Sequence, residues 1–180
     1  KIEINQIKNS LDTASLLFDV GYQGFVTFKI PDFWLVSEDR YPTAIRIDAL
    51  SPKDRKNDDI QEYISVVMEH DPNLGSFDQF ASQFKMVLNN NKAFGTKVTS
   101  KKTSFKGISG YVFNWIERNQ GIETNQTGLI MYYDNYIIDV RLVTQPEYYP
   151  AYEKLYSRIL ATLEIERNLP QPKRKATNKQ

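Results

Sequence analysis

The 180-residue sequence contains no cysteine and only one histidine, His70. The absence of cysteine excludes disulfide bonds, thiolate metal sites and a cysteine nucleophile. A zinc site usually needs several histidine or cysteine ligands, which one histidine cannot supply. Because His70 precedes the polar sequence Asp-Pro-Asn, we interpret it as a surface loop residue and not as the base of a catalytic triad. We therefore predict no catalytic residue, no bound metal and no cofactor, and we expect that the protein is not an enzyme.

Long hydrophobic runs are also missing. No stretch approaches the roughly 20 apolar residues that cross a membrane, so we predict no transmembrane segment. Neither a G-x-x-x-x-G-K-S/T phosphate loop nor a G-x-G-x-x-G fingerprint occurs, which argues against the common nucleotide-binding sites. The acidic residues between Asp54 and Glu62 alternate with lysine and arginine and lack calcium-loop spacing, so they predict a charged loop.

The start of the chain bears on its location. It begins at Lys1 without a signal peptide, which leaves room for an export signal or a lipid anchor before it. An extracytoplasmic location, either periplasmic or membrane-anchored as in a lipoprotein, is favoured, and a cytoplasmic location is the alternative. Peripheral membrane association is left open.

The length and composition predict one globular domain with a tail. Domains commonly have about 100 to 200 residues, and 41% hydrophobic residues are enough to form a core. The net charge is +1, but residues 167–180 contain five basic residues and no acid. We expect this tail to be flexible because it offers little apolar surface to bury. The mildly acidic remainder argues against nucleic acid as the main partner.

Periodicity predicts an α+β protein with an antiparallel sheet of about six to seven strands. The apolar spacing from Ile4 to Phe18 predicts an N-terminal helix, which with its linker would occupy residues 1–21. Strands are predicted at 25–30, 43–50, 60–70, 97–104, 108–117, 128–133 and 136–144, and residues 34–36 form a short second piece after the first strand.

Two further amphipathic helices are indicated. The first begins after Ser76, where Gln79 three residues later completes a capping box. Its apolar stripe contains Phe77, Phe80, Ala81, Phe84, Val87 and Leu88. The second begins near Pro150, a residue that suits a first helical turn. Asp134 and Asn135 predict a tight turn between two strands, because both residue types tolerate positive φ.

Four segments together resemble the PsbP-like superfamily, which includes the photosystem II extrinsic subunit PsbP, a Ran-binding import factor and bacterial lipoproteins. They are FKIPDFWLV, ISVVMEHDPNLGSFDQFASQF, FKGISGYVFNWIE and YIIDVRLVTQPEYYPAYEKLYSRILATLEI. The resemblance covers most of the chain and implies one PsbP-like domain over residues 22–166. It also implies an α/β/α sandwich, in which an antiparallel sheet is flanked by helices.

The candidate contact residues are aromatic and basic. Trp34 follows the first strand of the PsbP-like domain, where a core role is favoured over a contact surface because the ring is large and apolar. Tyr132, Tyr133 and Tyr136 surround the predicted turn, and Tyr is frequent in protein interfaces. Three contiguous basic residues of the tail complete the set of candidate partner contacts: Lys173, Arg174 and Lys175.

Three functions stay open at this point. The favoured one is a non-enzymatic accessory or binding module that docks on a larger protein assembly, which includes the case of a membrane-associated assembly. The alternative is a soluble or lipid-anchored binding protein for a small ligand, with a pocket between sheet and helix near Trp34 and Trp115. The least supported hypothesis is an enzyme that uses Asp, Glu, Ser or Tyr.

Overall fold

The computed structural model describes residues 16–20, 26–31, 33–52, 60–91 and 98–166, with only the backbone described for residues 16–20. In chain order the elements are β1 Leu16–Val20, β2 Val26–Ile30, β3 Leu35–Arg40, β4 Ala44–Leu50, β5 Tyr63–His70, α1 Phe77–Asn90, β6 Thr99–Phe105, β7 Ile108–Asn119, β8 Ile122–Tyr133, β9 Tyr136–Thr144, α2 Tyr149–Thr162 and β10 Glu164–Ile165.

Seven of the strands form one antiparallel sheet in the order β3-β4-β5-β9-β8-β7-β6. Strands β1, β2 and β10 form a second, three-stranded sheet. The predicted α+β class, with about six to seven antiparallel strands and flanking helices, is therefore confirmed.

Two apolar cores lie on opposite faces of the large sheet. Ile138 belongs to the core that contains α2 and β2, whereas the preceding residue, Ile137, belongs to the core beneath α1. Successive side chains of a strand point to opposite faces, so α1 and α2 cover different sides of the sheet. We call these sides the α1 face and the α2 face.

The start of α1 follows from its cap. Ser76 has an extended backbone, and its hydroxyl accepts a hydrogen bond from the backbone N–H of Gln79 at 3.4 Å. The Phe side chains of the helix then pack on the sheet, as its apolar stripe predicted. Val87 departs from that prediction because it is 60% exposed.

The tight turn between β8 and β9 is also confirmed. Asp134 and Asn135 have φ values of 49° and 67°. Positive φ at both central positions gives the twist that a two-residue hairpin needs.

The N-terminal prediction is wrong where the structure describes it. Leu16–Val20 is a strand, and Phe18 pairs with Phe28 of β2. A short apolar run does not distinguish a helix from a strand until its partner is known. This strand belongs to the three-stranded sheet, so residues 16–20 are not part of a separate N-terminal helix and linker. Residues 1–15 and the predicted tail, 167–180, lie outside the described residues.

Candidate functional site

Two of the predicted contact residues lie in the core. Trp34 is 4% exposed, and its ring centroid lies 6.2 Å from that of Tyr152 in α2. Tyr136 is 2% exposed and packs on the ring of His70 at 4.9 Å. Because both side chains are buried, Trp34 and Tyr136 cannot contact a partner, and their inclusion among the candidate contact residues was wrong. The burial of Trp34 confirms the core role that was favoured for it.

The other two predicted tyrosines are half-buried. The Tyr132 ring stacks on Phe77 at 6.1 Å, and its hydroxyl donates a hydrogen bond to the backbone oxygen of Asp71 at 3.2 Å. Desolvation by burial raises the pKa of the Tyr132 hydroxyl above its ordinary value. Tyr133 lines a cavity of about 600 Å³ beside the β6–β7 turn and β10. Lys173, Arg174 and Lys175 lie outside the described residues.

The alternative function placed a pocket near both tryptophans, and the described residues do not form one. Trp34 belongs to the core on the α2 face, whereas Trp115 belongs to the core on the α1 face. The sheet separates them, so no single cavity can be lined by both rings.

A different hollow lies on the α1 face, and we call it the polar depression. Its volume is about 160 Å³, and its lining residues come from five neighbouring strands: Arg46, Tyr63, Ser65, Val67, Glu117, Gln126, Asp139 and Arg141. The strand register brings them together, since Val67 pairs with both Arg46 and Asp139 while Ser65 pairs with Arg141.

Each of the two arginines that line the polar depression forms an ion pair with an aspartate. Arg46 Nε lies 2.9 Å from a carboxylate oxygen of Asp48, and this hydrogen-bonded contact raises the pKa of Arg46. A terminal guanidinium nitrogen of Arg141 donates a hydrogen bond to Asp139 Oδ2, and both residues lie on β9. The Arg141 guanidinium also lies over the ring of Trp115, with its central carbon 5.0 Å from the centroid, a favourable cation–π geometry.

Asp139 is the most desolvated acid of this group. Its side chain is only 15% exposed. Burial raises the pKa of the Asp139 carboxyl above its ordinary value, although the charge of Arg141 acts in the opposite direction. Removal from water therefore outweighs the ion pair at this position.

Several polar atoms of the polar depression have no partner among the described residues. Asp139 Oδ1 and Arg141 Nε are buried without a hydrogen bond. The hydroxyls of Tyr63 and Ser65 also form none with the described residues, although Ser65 is only 5% exposed. Several such groups in one hollow are unusual, because burying a polar group without a hydrogen bond costs free energy.

The sequence contained a signal for this hollow that periodicity did not reveal. Asp139 and Arg141 interrupt the apolar strand YIIDVRLVT, which has neighbours on both sides in the sheet. Charged residues in a central strand are unusual unless they are paired. Their proximity to Arg46 and Glu117 could not be predicted, because it depends on strand order.

The described residues contain no group of three or more acidic or histidine side chains placed to hold a metal ion. His70 ends β5 and does not line the polar depression. Its position in the strand corrects our interpretation of His70 as a loop residue.

A second surface feature is the edge strand β3. Within the described residues β3 pairs only with β4, and all six of its residues are exposed. Six large hydrophobic side chains are exposed in the described parts of the chain, and four of them lie in or beside β3: Phe33, Leu35, Val36 and Tyr41. The helices described here include none that is both long and apolar enough to cross a membrane.

The opposite edge of the sheet has a different character. Strand β6 presents the exposed residues Lys101 and Lys102. Lys102 Nζ also contacts Asp78 of α1 at 2.8 Å. Lysines on an edge strand oppose pairing with another chain, so the two edges differ in their capacity to accept a partner strand.

No protein-family model and no curated protein matches this sequence. Several solved structures share its fold. LpqN of Mycobacterium tuberculosis, which is involved in cell envelope biogenesis, aligns with a TM-score of 0.57 at 10% identity and covers 93% of this chain and 98% of its own. PA94 of Pseudomonas aeruginosa, a protein of unknown function, has a TM-score of 0.56 at 12% identity over 87% of this chain and 97% of its own.

Cyanobacterial PsbP (CyanoP) of Synechocystis has a TM-score of 0.56 at 14% identity, and the alignment covers 78% of this chain and 86% of CyanoP. At these identities the likeness concerns the fold alone, and the fold of this chain is PsbP-like.

Proposed function

We propose that this protein is a non-enzymatic binding module that docks on a larger protein assembly through β3, the outermost strand of the sheet in the described part of the chain. The observation that carries the proposal is the concentration of exposed apolar side chains along this edge. A row of open backbone groups beside such side chains is suited to pairing with an extended segment of a partner protein.

The hairpin geometry identifies which backbone groups are open. Tyr41 N–H donates to the Ala44 oxygen at 2.8 Å, which makes these two residues a hydrogen-bonded pair. Hydrogen-bonded and non-hydrogen-bonded pairs alternate along an antiparallel ladder. The N–H groups of Val36 and Glu38 therefore point away from β4 and towards the outer edge of β3.

The side chains of β3 suggest the chemistry of the partner segment. Leu35 is 67% exposed and Val36 is 36% exposed, so an apolar residue opposite them would be buried on docking. Asp39 forms no ion pair with the described residues. A basic residue opposite Asp39 would form an ion pair with it. We therefore propose that the partner strand has one apolar end and one basic end.

An extracytoplasmic location belongs to the same proposal. It is supported by the shared fold with LpqN, a protein involved in cell envelope biogenesis. Tyr132, Tyr133 and the tail residues Lys173, Arg174 and Lys175 stay secondary candidates for partner contacts.

The test uses one substitution that blocks edge pairing and one matched control. Glu38→Pro removes a backbone N–H that points away from β4, so the hydrogen bonds between β3 and β4 are kept. Proline is tolerated on edge strands. Glu38→Ala removes the same carboxylate, and with it the ion pair to Arg40, but keeps the N–H. Each variant is purified under mild conditions from the source cells. Each is prepared in two forms: one carries a photo-crosslinking residue at position 35, and the other, a control, carries it at position 103 on β6.

We expect a stoichiometric partner that crosslinks at position 35 and not at position 103. The complex should survive Glu38→Ala and be lost in a folded Glu38→Pro protein, as judged by circular dichroism. A complex that persists in Glu38→Pro, or one that crosslinks only at position 103, would contradict docking at β3. A monomer with no partner in any preparation would overturn the binding-module proposal itself.

A further inference from the structure

The arginine charges of the polar depression are paired within the protein. Arg46 forms an ion pair with Asp48, and Arg141 forms one with Asp139. The aspartates would repel an added anion, and the two guanidinium groups would repel an added cation. A neutral ligand avoids both conflicts, so hydrogen bonds and not net charge decide what this hollow can bind.

Ser65 of β5 lies at the centre of the unused hydrogen-bonding groups. It is directly opposite Arg141 on β9, and Arg46 on β4 is its diagonal neighbour because Arg46 pairs with Val67. Tyr63 lies two residues before Ser65 on the same strand, and therefore on the same face. Opposite side chains have β-carbons about 5 Å apart and diagonal neighbours about 7 Å. One small ligand beside Ser65 can therefore reach all of these groups.

The electrostatics of Tyr63 support this proximity. Burial raises the pKa of the Tyr63 hydroxyl above its ordinary value, and the charges of Arg46 and Arg141 act in the opposite direction. Both guanidinium groups thus lie close enough to act on the same hydroxyl, although they belong to strands on either side of β5. The hydroxyl and the two guanidinium groups form one cluster.

The ion pairs leave hydrogen-bond donors unused. Arg46 contacts Asp48 through Nε, and its two terminal nitrogens form no hydrogen bond with the described residues. Arg141 donates to Asp139 through one terminal nitrogen, and the other terminal nitrogen forms none with the described residues. A neutral oxygen can accept from these nitrogens without breaking either ion pair.

Ser65 supplies an independent indication of a ligand. It is 5% exposed, lines the polar depression and forms no hydrogen bond with the described residues. Its Oγ is not among the polar atoms that are both sealed from solvent and unpartnered, so the hydroxyl opens into the hollow. A hydroxyl both donates and accepts a hydrogen bond. Another hydroxyl is therefore a partner that can satisfy it fully.

The size and walls of the hollow suit one organic ring. Its volume of about 160 Å³ equals that of about five water molecules at about 30 Å³ each, which is the size class of a monosaccharide. Val67 adds an apolar wall, against which the C–H groups of a sugar ring can pack. A single ring also replaces several waters, each of which loses entropy when it is held in place.

We propose that the polar depression binds a neutral polyhydroxylated ligand of monosaccharide size. Its hydroxyls exchange hydrogen bonds with Ser65 and Tyr63, and its oxygens accept from the terminal nitrogens of Arg46 and Arg141. The site uses no residue of β3. Its test therefore uses the purified full chain without a partner, and either result leaves the docking proposal unaffected.

The experiment records amide chemical shifts of the full chain with D-glucose, D-galactose and D-ribose as probes. Tetrahydropyran, a ring of similar size without hydroxyl groups, is the matched control ligand. Acetate and inorganic phosphate test for an anion site. We expect saturable shifts in β4, β5 and β9 with at least one sugar, and none with tetrahydropyran or with either anion.

Variants assign the contacts. Ser65→Ala and Arg46→Gln should each weaken binding of the best sugar by about three- to tenfold, which corresponds to the loss of one hydrogen bond. Ser104→Ala changes an exposed serine of β6 outside the polar depression, and this control should bind as the wild type does. The amide spectrum shows whether each variant is folded, and Tyr63→Phe provides a second substitution if Ser65→Ala does not fold.

Four results would overturn the proposal. The first is the absence of saturable shifts with every sugar up to about 100 mM, a concentration that would detect a dissociation constant of about 10 mM. The second is binding of tetrahydropyran as strong as that of the sugars. The third is saturable binding of acetate or phosphate in their place, which would assign the hollow to an anion. The fourth is sugar binding that both Ser65→Ala and Arg46→Gln leave unchanged.

Discussion

A β-carbon placed on Gly128 would lie 3.3 Å from Oδ1 of Asp139. Gly128 lies on β8 and Asp139 on the adjacent strand β9. The same β-carbon would lie 3.8 Å from two ring carbons of Trp115. The missing side chain at position 128 therefore makes room for a buried carboxylate beside an aromatic ring, at the base of the polar depression.

Gly128→Ala should destabilise the protein by about 1 kcal/mol, although alanine is normally favoured over glycine in a strand. The added methyl crowds Asp139, which is held by Arg141 and has little room to move. In an Asp139→Ala background the same change should be neutral or stabilising. Urea unfolding of the four proteins of this double-mutant cycle measures the coupling. Stabilisation by Gly128→Ala in both backgrounds would show that the close approach has no energetic cost.

The raised pKa of Asp139 predicts how stability changes with pH. Because the folded pKa lies above the unfolded value, the group contributes its full stability below about pH 4 and loses it as pH rises through the folded pKa. Arg141 and Arg46 attract the carboxylate but do not reverse the effect of burial. The Tm of the wild type relative to Asp139→Asn should therefore fall from pH 3.5 to pH 8.

Asp78 is the matched control for this titration, because its pKa is lowered by a hydrogen bond from Lys102. The stability that Asp78 contributes is present above its pKa in the unfolded state and is lost as the pH falls through its pKa in the folded state. The Tm of the wild type relative to Asp78→Asn should thus change in the opposite direction, by a small amount because both partners are exposed. Parallel pH profiles for Asp139→Asn and Asp78→Asn would contradict the opposite pKa shifts.

Trp34 should be important for stability. Its buried ring packs with Tyr152, so Trp34→Ala should cost about 3–5 kcal/mol of unfolding free energy. The adjacent Phe33 is 39% exposed, and Phe33→Ala should change stability by less than about 0.5 kcal/mol. Guanidinium unfolding followed by circular dichroism compares the two. Equal losses for Trp34→Ala and Phe33→Ala would show that Trp34 is not a core residue.

Tyr156 should stabilise the fold through its hydroxyl. The buried hydroxyl donates to the Val140 backbone oxygen at 2.6 Å and connects α2 to β9. Tyr156→Phe removes the donor and leaves a buried oxygen with one partner fewer, at a cost of about 1–2 kcal/mol. Tyr41→Phe is the control, since Tyr41 is 53% exposed. An unchanged unfolding free energy in Tyr156→Phe would mean that water replaces the lost donor.

The predictions that proved correct rest on short-range patterns. The last strand of the large sheet was predicted at 136–144 and is Tyr136–Thr144, because alternation and a positive-φ turn define it locally. The start of α1 was predicted from Ser76 and Gln79, which form the cap within one turn. Each of these features depends on residues that are near one another in the chain.

The predictions that failed needed contacts between distant residues. The strand character of Leu16–Val20 depends on pairing with β2, and a local apolar run does not contain that information. The alternative function placed one pocket near Trp34 and Trp115, yet the large sheet separates them. The face of a sheet that a side chain occupies depends on the alternation along its strand and on the pairing register, and the register joins segments that are distant in the chain.

The sequence by itself determined the α+β class, most strand positions, the two described helices and the absence of thiol chemistry. Periodicity, capping and composition act over a few residues, so these properties can be inferred without knowing the fold. Only the tertiary structure decided that β3 is the outermost strand of the sheet among the described residues, and that Arg46, Glu117 and Asp139 line one hollow. Both depend on the order of strands in the sheet, which is set by pairing between segments far apart in the chain.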